Sequence, residues 1–219
     1  MLRRYSPFFS RVFVHPMLGC AVVASCFFAL PAEAKREKEP PVIVEQHEME
    51  LDWDPTLSMD TLTQGMPDLP DTRVTIRRLH DLRPTPQRVA DVQVGPQSVH
   101  VFIAENNASS WVASHFISSL DDAGVRIGAD GDLVLSGEIT HFLATKSPNY
   151  NGDVSIRITL ERGEKVVWRG TVSGWATRPG DSGIGDEDEY NEVLSDAIMR
   201  AAASLAWYPK FRAALKGDL

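Results

Sequence analysis

The sharpest catalytic candidate in the sequence is Gly180-Asp181-Ser182-Gly183, which matches the short string around the nucleophile of chymotrypsin-like serine proteases. A nucleophilic serine needs a histidine base, a carboxylate to orient it and an oxyanion hole. His115 and either Asp132 or Asp153 precede Ser182 in the required order. However, His115 falls on a predicted helix, and the chain is too short and too helical for two β-barrels. A flexible turn explains the string, and an envelope hydrolase using Ser182 or a metal on the acidic loop around it stands only as an alternative.

The same loop carries Asp181, Asp186, Glu187, Asp188 and Glu189, oxygen donors of the kind that suit a hard cation such as calcium. Their spacing matches no EF-hand, and a solvated loop entering a helix N-terminus accounts for the same acids. His47-Glu48 lacks the second histidine of a zinc-protease helix, since Leu51 stands in its place. No glycine-rich phosphate loop follows a strand. His80, His100 and His141 lie far apart in strand-like segments and read as structural. No catalytic set, metal set or cofactor is implied.

Around these residues the alternation of apolar positions marks strands, and three- and four-residue steps mark helices. Val74 and Ile76 begin a first strand, Pro84 and Pro86 force a turn, and Val99, Val101 and Ile103 form a second strand. Asn106, Asn107 and Ser109 offer caps to a helix bearing Trp111, Val112, Phe116 and Leu120, ended by Gly124. Three half-buried antiparallel strands follow. Their core sets are Leu133, Leu135, Ile139 and His141; Val154, Ile156, Ile158 and Leu160; and Val166, Trp168 and Val172. A last helix carries Tyr190, Leu194, Ala197, Ile198, Ala201 and Leu205.

Two helices with one apolar stripe each can cover only one sheet face. The expected fold is therefore an α+β two-layer sandwich, mainly antiparallel, with both amphipathic helices on one side. The other face would stay polar, with Arg157 and Arg169 among its residues. Trp175 shares that parity. It is either an outward aromatic anchor for a partner or a ring tucked beneath the following loop.

The leader supplies an address. Arg3, Arg4 and Arg11 precede an uncharged run from Met17 to Leu30, which is shorter than the roughly 20 residues a spanning helix needs. Pro31 and Ala32-Glu33-Ala34 then complete the pattern of a secretory signal peptide, residues 1–34, cleaved after Ala34. The alternative is lipidation at Cys26, preceded by Val23-Ala24-Ser25; membrane association would follow only in that case. The sole cysteines, Cys20 and Cys26, both lie in the leader, so cleavage after Ala34 excludes disulfides and thiolate metal sites from the exported part.

Residues 35–71 are acidic and proline-containing and read as a mostly disordered linker. In the rival reading, Val42, Ile43 and Val44 form an edge strand, with Leu51, Trp53 and Leu57 docked. Residues 72–219 make one α+β domain. The whole chain has 219 residues, 22 Lys plus Arg against 30 Asp plus Glu, and a formal charge of −8. With no basic run, that balance argues against a nucleic-acid partner.

The domain resembles the YajG-like family of bacterial envelope lipoproteins. The likeness is carried by Val74-Thr75-Ile76 leading to Asp81-Leu82-Arg83, by Gly95, and by the helix ending at Gly124. It continues through residues 129–139, the paired strands with Trp168 and Gly170, and the final helix with Leu194 and Ala197. The resemblance spans residues 72–207 and implies an exported, envelope-associated domain without an established catalytic site. Two departures are the leader, which favours signal-peptidase cleavage, and the longer acidic linker. Asp81 and Arg83 form either a loop-fixing salt bridge or a ligand pair.

The reading that follows is a non-catalytic periplasmic or outer-membrane-associated binding and assembly module for envelope proteins. A carrier or receptor for a small molecule or lipid is the alternative. It would require an apolar pocket between helices and sheet.

Overall fold

The computed structural model describes residues 42–180 and 183–218. The expected signal peptide with its expected cleavage after Ala34, the lipidation candidate Cys26, and Asp181 and Ser182 lie outside the described residues.

Seven strands form one mixed sheet: β1 (Ile43–Met49), β2 (Val74–Asp81), β3 (Arg88–Gly95), β4 (Ser98–Ala104), β5 (Leu133–Lys146), β6 (Tyr150–Arg162) and β7 (Lys165–Arg178). The order is β1-β4-β3-β5-β6-β7, with β2 also paired to β5. β2 and β3 occupy successive stretches of the same edge of β5, at Leu133–Ile139 and Ala144–Lys146. The expected meander of β5, β6 and β7 is present and antiparallel. The mainly antiparallel expectation is corrected elsewhere, because β1–β4, β2–β5 and β3–β5 are parallel. Those pairings join segments distant in sequence, which local alternation cannot reveal.

The helices are α1 (Met59–Leu62), α2 (Ala108–Asp122), α3 (Glu187–Trp207) and α4 (Pro209–Lys216). The Asn107 side chain caps α2 by accepting from Ser110 N. Asp186 caps α3, whose first turn holds Glu187, Asp188 and Glu189 at the positive end of the helix dipole. These four acids thus serve the helix start. Pro209 at the first turn of α4 separates it from α3, and this short helix is an addition to the two expected from the sequence.

The core lies between one sheet face and α2 and α3. Ile139, Val154, Ile156, Ile158, Leu160, Phe116, Val193, Leu194, Ala197, Ile198 and Ala201 are fully buried there. Two glycines let α3 settle on the strands. A Cβ at Gly152 would stand 2.2 Å from the Val193 carbonyl oxygen, and one at Gly174 would stand 1.8 Å from that of Ala197. With backbone against backbone at these points, the pocket that a carrier would need is filled there.

Bulges move two residues out of their expected core positions. The β5–β6 register shifts between Ile139 and His141, so Phe142 and Ala144 turn inward and His141 is exposed. A second shift leaves Val166 outside while Trp168 stays in.

Residues 42–71 are not a free tether. Of the two readings of this segment, the structure has the docked arm. Met49, Leu51 and Met59 are buried, and α3 provides polar groups that bind the arm's backbone. Asn191 Nδ2 donates to the Glu50 carbonyl, Ser195 Oγ accepts from Asp54 N, and Asp196 accepts from the amides of Thr56 and Leu57 and from the Thr56 hydroxyl. Farther on, Trp207 Nε1 donates to the Leu62 carbonyl and Arg212 to those of Pro67 and Asp68. Peptide groups that water would satisfy in a linker are satisfied here by the helix.

Candidate functional site

The sheet face opposite α2 and α3 remains polar. Arg169, Thr171, Ser173 and Trp175 alternate outward along β7, all exposed, and at about 3.3 Å per residue they span a strip of about 20 Å. Register sets Trp175 beside Asp153, Ser173 beside Ser155, Thr171 beside Arg157 and Arg169 beside Thr159. The structure therefore gathers Trp175, Arg157 and Arg169 on one surface. The Trp175 ring is outward and 53% exposed, not tucked under the next loop.

One part of this surface, a groove, is lined by three arginines, Arg77, Arg157 and Arg169, against one carboxylate, Glu138. Arg157 pairs with Glu138 at 2.5 Å and Arg77 with Glu161 at 3.1 Å. Arg169 Nε donates to Thr159 Oγ1 at 3.3 Å and makes no ion pair among the described residues. Arg77, His80, Glu138, Arg157 and Arg169 border a shallow groove of about 390 Å³. Exposed ion pairs of this kind contribute about 0–1 kcal/mol each, so an incoming carboxylate can exchange for Glu138 or Glu161 at small cost.

Asp81 and Arg83 form a closed knot. Arg83 Nε and Nη2 hold the Asp81 carboxylate, with the shortest contact 2.7 Å, and Nη2 also donates to the Pro86 carbonyl. Nη1 donates to the carbonyls of Phe142 and Arg88. All five guanidinium N–H groups are thereby used. Asp81 also accepts from Arg83 N and from the Ser109 hydroxyl. Burial raises the carboxyl pKa, but the hydrogen bonds from Arg83 and Ser109 and the adjacent charge outweigh it and hold Asp81 below its ordinary value. The pair ties β2, β3, β5 and α2 together and leaves no guanidinium donor for a ligand.

Among the described residues, the histidine and Asp153 of the serine-protease reading are not brought together. His115 lies on α2 in contact with Trp53 and Trp111, whereas Asp153 projects from the opposite sheet face beside Trp175. Burial lowers the His115 pKa. The acidic loop likewise gathers no three donors among the described residues.

One juxtaposition escapes sequence reasoning. Glu45, His47 and His100 bring their donor atoms within 4.8 Å of one another. The signal was present as Glu45-x-His47 on a possible strand and His100 in another. What joins them is the parallel pairing of β1 with β4, across more than fifty residues of chain.

No family model matches this chain, and no curated protein matches it. Solved structures do. A Xanthomonas campestris protein described by the family model DUF330 aligns over 80% of this chain and 99% of its own, with 12% identity and a TM-score of 0.53. A hypothetical protein of Chlamydia trachomatis covers 61% of this chain and 92% of its own, at 10% identity and TM-score 0.41. A putative lipoprotein of Caulobacter crescentus covers 49% and 85%, at 18% identity and TM-score 0.37. The first likeness establishes a shared α+β fold. The other two are too loose to add to it.

Proposed function

We propose that the protein is an exported, non-catalytic envelope module that holds an acidic segment of another envelope protein on the outer face of its sheet. The observation that carries this reading is the exposed Trp175 ring in one strip with Arg157 and Arg169, on a sheet face that α2 and α3 leave uncovered. An aromatic anchor and arginines on one exposed face are the residue types that dominate protein interfaces, and the groove's excess of arginines over acids favours an acidic partner. Export through the leader, and kinship with the YajG-like family, belong to the same proposal. Chain mass after export decides the anchoring: a start at Lys35 means a free periplasmic protein, and a start at Cys26 with added acyl mass means a membrane-held one.

The test is photo-crosslinking from position 173, beside the tryptophan, in intact envelopes, compared with Trp175→Ala and with the double charge reversal Arg157→Glu and Arg169→Glu. One adduct should form with the native surface and be lost in both variants, and capture of its partner should weaken as salt rises. The same adduct at equal yield in all three proteins rules this surface out.

A further inference from the structure

The free edge of the sheet carries a second feature, independent of the outer face. Glu45 and His47 stand two residues apart on β1, so strand alternation directs both to one side. Parallel register sets Glu45 beside His100 and His47 beside Phe102. His47 Nε2 is 2.7 Å from His100 Nδ1, and Glu45 Oε2 is 3.6 Å from the same His100 nitrogen. His100 is buried, and the His47 ring lies against those of His100 and Phe102 at 5.0 and 5.2 Å. Among the described residues the one ion-pair partner of Glu45 is His100 itself.

We propose that Glu45, His47 and His100 bind one late first-row divalent cation of the Zn²⁺ class and thereby clip the edge strand β1 to β4. Two imidazoles and one carboxylate form a borderline donor set that suits Zn²⁺, Ni²⁺ or Cu²⁺, whereas Ca²⁺ and Mg²⁺ require mainly oxygen donors. With metal–nitrogen bonds of about 2.0–2.1 Å in tetrahedral geometry, the two nitrogens would lie about 3.3 Å apart. The observed 2.7 Å contact therefore has to open by about half an ångström. The Glu45 oxygen already stands at a suitable distance from His100, and its side chain, 56% exposed, can follow the ion.

The fold holds the rest of the site ready. The β1–β4 hydrogen-bond ladder sets the strand spacing, the Phe102 ring backs the His47 ring, and burial holds the His100 imidazole. Three protein donors leave the fourth tetrahedral position to water. The location gives the ion a structural consequence. Among the described residues β1 pairs with β4 alone, and Val42, Ile43 and Val44 at its start are exposed, so packing secures this strand thinly. An ion bridging both strands adds a tie where the apolar contribution is smallest.

The full chain, stripped with a chelator and titrated with Zn²⁺ alone, should bind one equivalent, and Co²⁺ should develop the visible absorption of a tetrahedral nitrogen- and oxygen-ligated ion. Loss of a ligand in His47→Gln should weaken Zn²⁺ binding about 100-fold and Glu45→Gln about tenfold, while His80→Gln leaves it unchanged. Zn²⁺ should slow amide exchange over residues 43–49 in the native chain and not in His47→Gln. A simple histidine–histidine hydrogen bond predicts none of this. Absence of one-equivalent binding overturns the proposal, and so does equal affinity in a folded His47→Gln chain. Should His47→Gln fail to fold, equal affinity in Glu45→Gln together with unchanged exchange over β1 in the native chain overturns it as well.

Discussion

The indole of Trp53 lies flat on the imidazole of His115, with ring centroids 4.2 Å apart and planes 1° from parallel. Trp111 meets both rings edge-on, 4.8 Å from His115 and 5.8 Å from Trp53. A residue of the acidic N-terminal arm thus covers one face of a half-buried helix histidine. The docking of the arm and the protonation of that histidine are one equilibrium.

Acid should therefore loosen the arm. Burial depresses the folded pKa of His115 below its ordinary value of about 6.5. As pH falls below that ordinary value, the unfolded chain takes up a proton that the folded chain refuses. Stability then declines until pH passes the lowered folded pKa. Trp53→Ala should cost on the order of 2 kcal/mol at pH 7.5 and return the His115 pKa toward its ordinary value, flattening the decline. NMR titration of His115 and urea unfolding at pH 7.5 and 5.5 measure both effects. An unmoved His115 pKa in the variant would show that Trp53 is not what covers it.

The Asp81–Arg83 pair gives a dependence that reverses on mutation. In the native protein the Asp81 pKa is lowered, so its stabilisation is complete above the unfolded value of about 4 and is lost as pH falls through the folded pKa. Arg83→Met strands a buried carboxylate and should cost about 3–5 kcal/mol at pH 7. Burial then dominates and raises the Asp81 pKa, so the variant should recover stability on acidification toward pH 4.5. Unfolding curves at the two pH values decide it, and an Arg83→Met protein as stable as the native one would disprove the knot.

Gly174 tests the contact between α3 and the sheet. A methyl group there meets the Ala197 carbonyl oxygen and the Ala201 amide nitrogen at 1.8 and 2.6 Å. Gly174→Ala should destabilise by about 3 kcal/mol, or roughly 6–12 °C in Tm for a domain of this size. Gly95→Ala, with nothing within 4 Å of its new atom, should be near neutral. Calorimetry of the two variants compares them directly, and equal melting would mean that α3 does not rest on β7 so closely.

Much of the outer face was legible in the chain because alternation along β6 and β7 is strict. Arg157, Arg169 and Trp175 fall on the side opposite Ile156, Ile158 and Val172, and the structure places all three there. His141 and Val166 were misplaced because a bulge adds one residue to a strand without any mark in the hydrophobic pattern. The arm was misread for a related reason. Its composition is that of a linker, and the groups that hold it, Asn191, Ser195 and Asp196, are polar residues of α3 about 140 positions away.

By itself the amino-acid order determined what short-range chemistry can encode: the β5–β6–β7 meander, α2 with its Asn107 cap, the apolar stripe of α3, and the polar parity of one sheet face. Periods of two and 3.6 residues are local properties, set by which side chains leave water together. Tertiary structure alone decided the parallel pairings, the docked arm, the joining of the Asp81–Arg83 pair to Phe142 and Ser109, and the meeting of Glu45, His47 and His100. Each of these depends on which distant segments share an edge or a helix face, and that is settled only when the entire core packs at once.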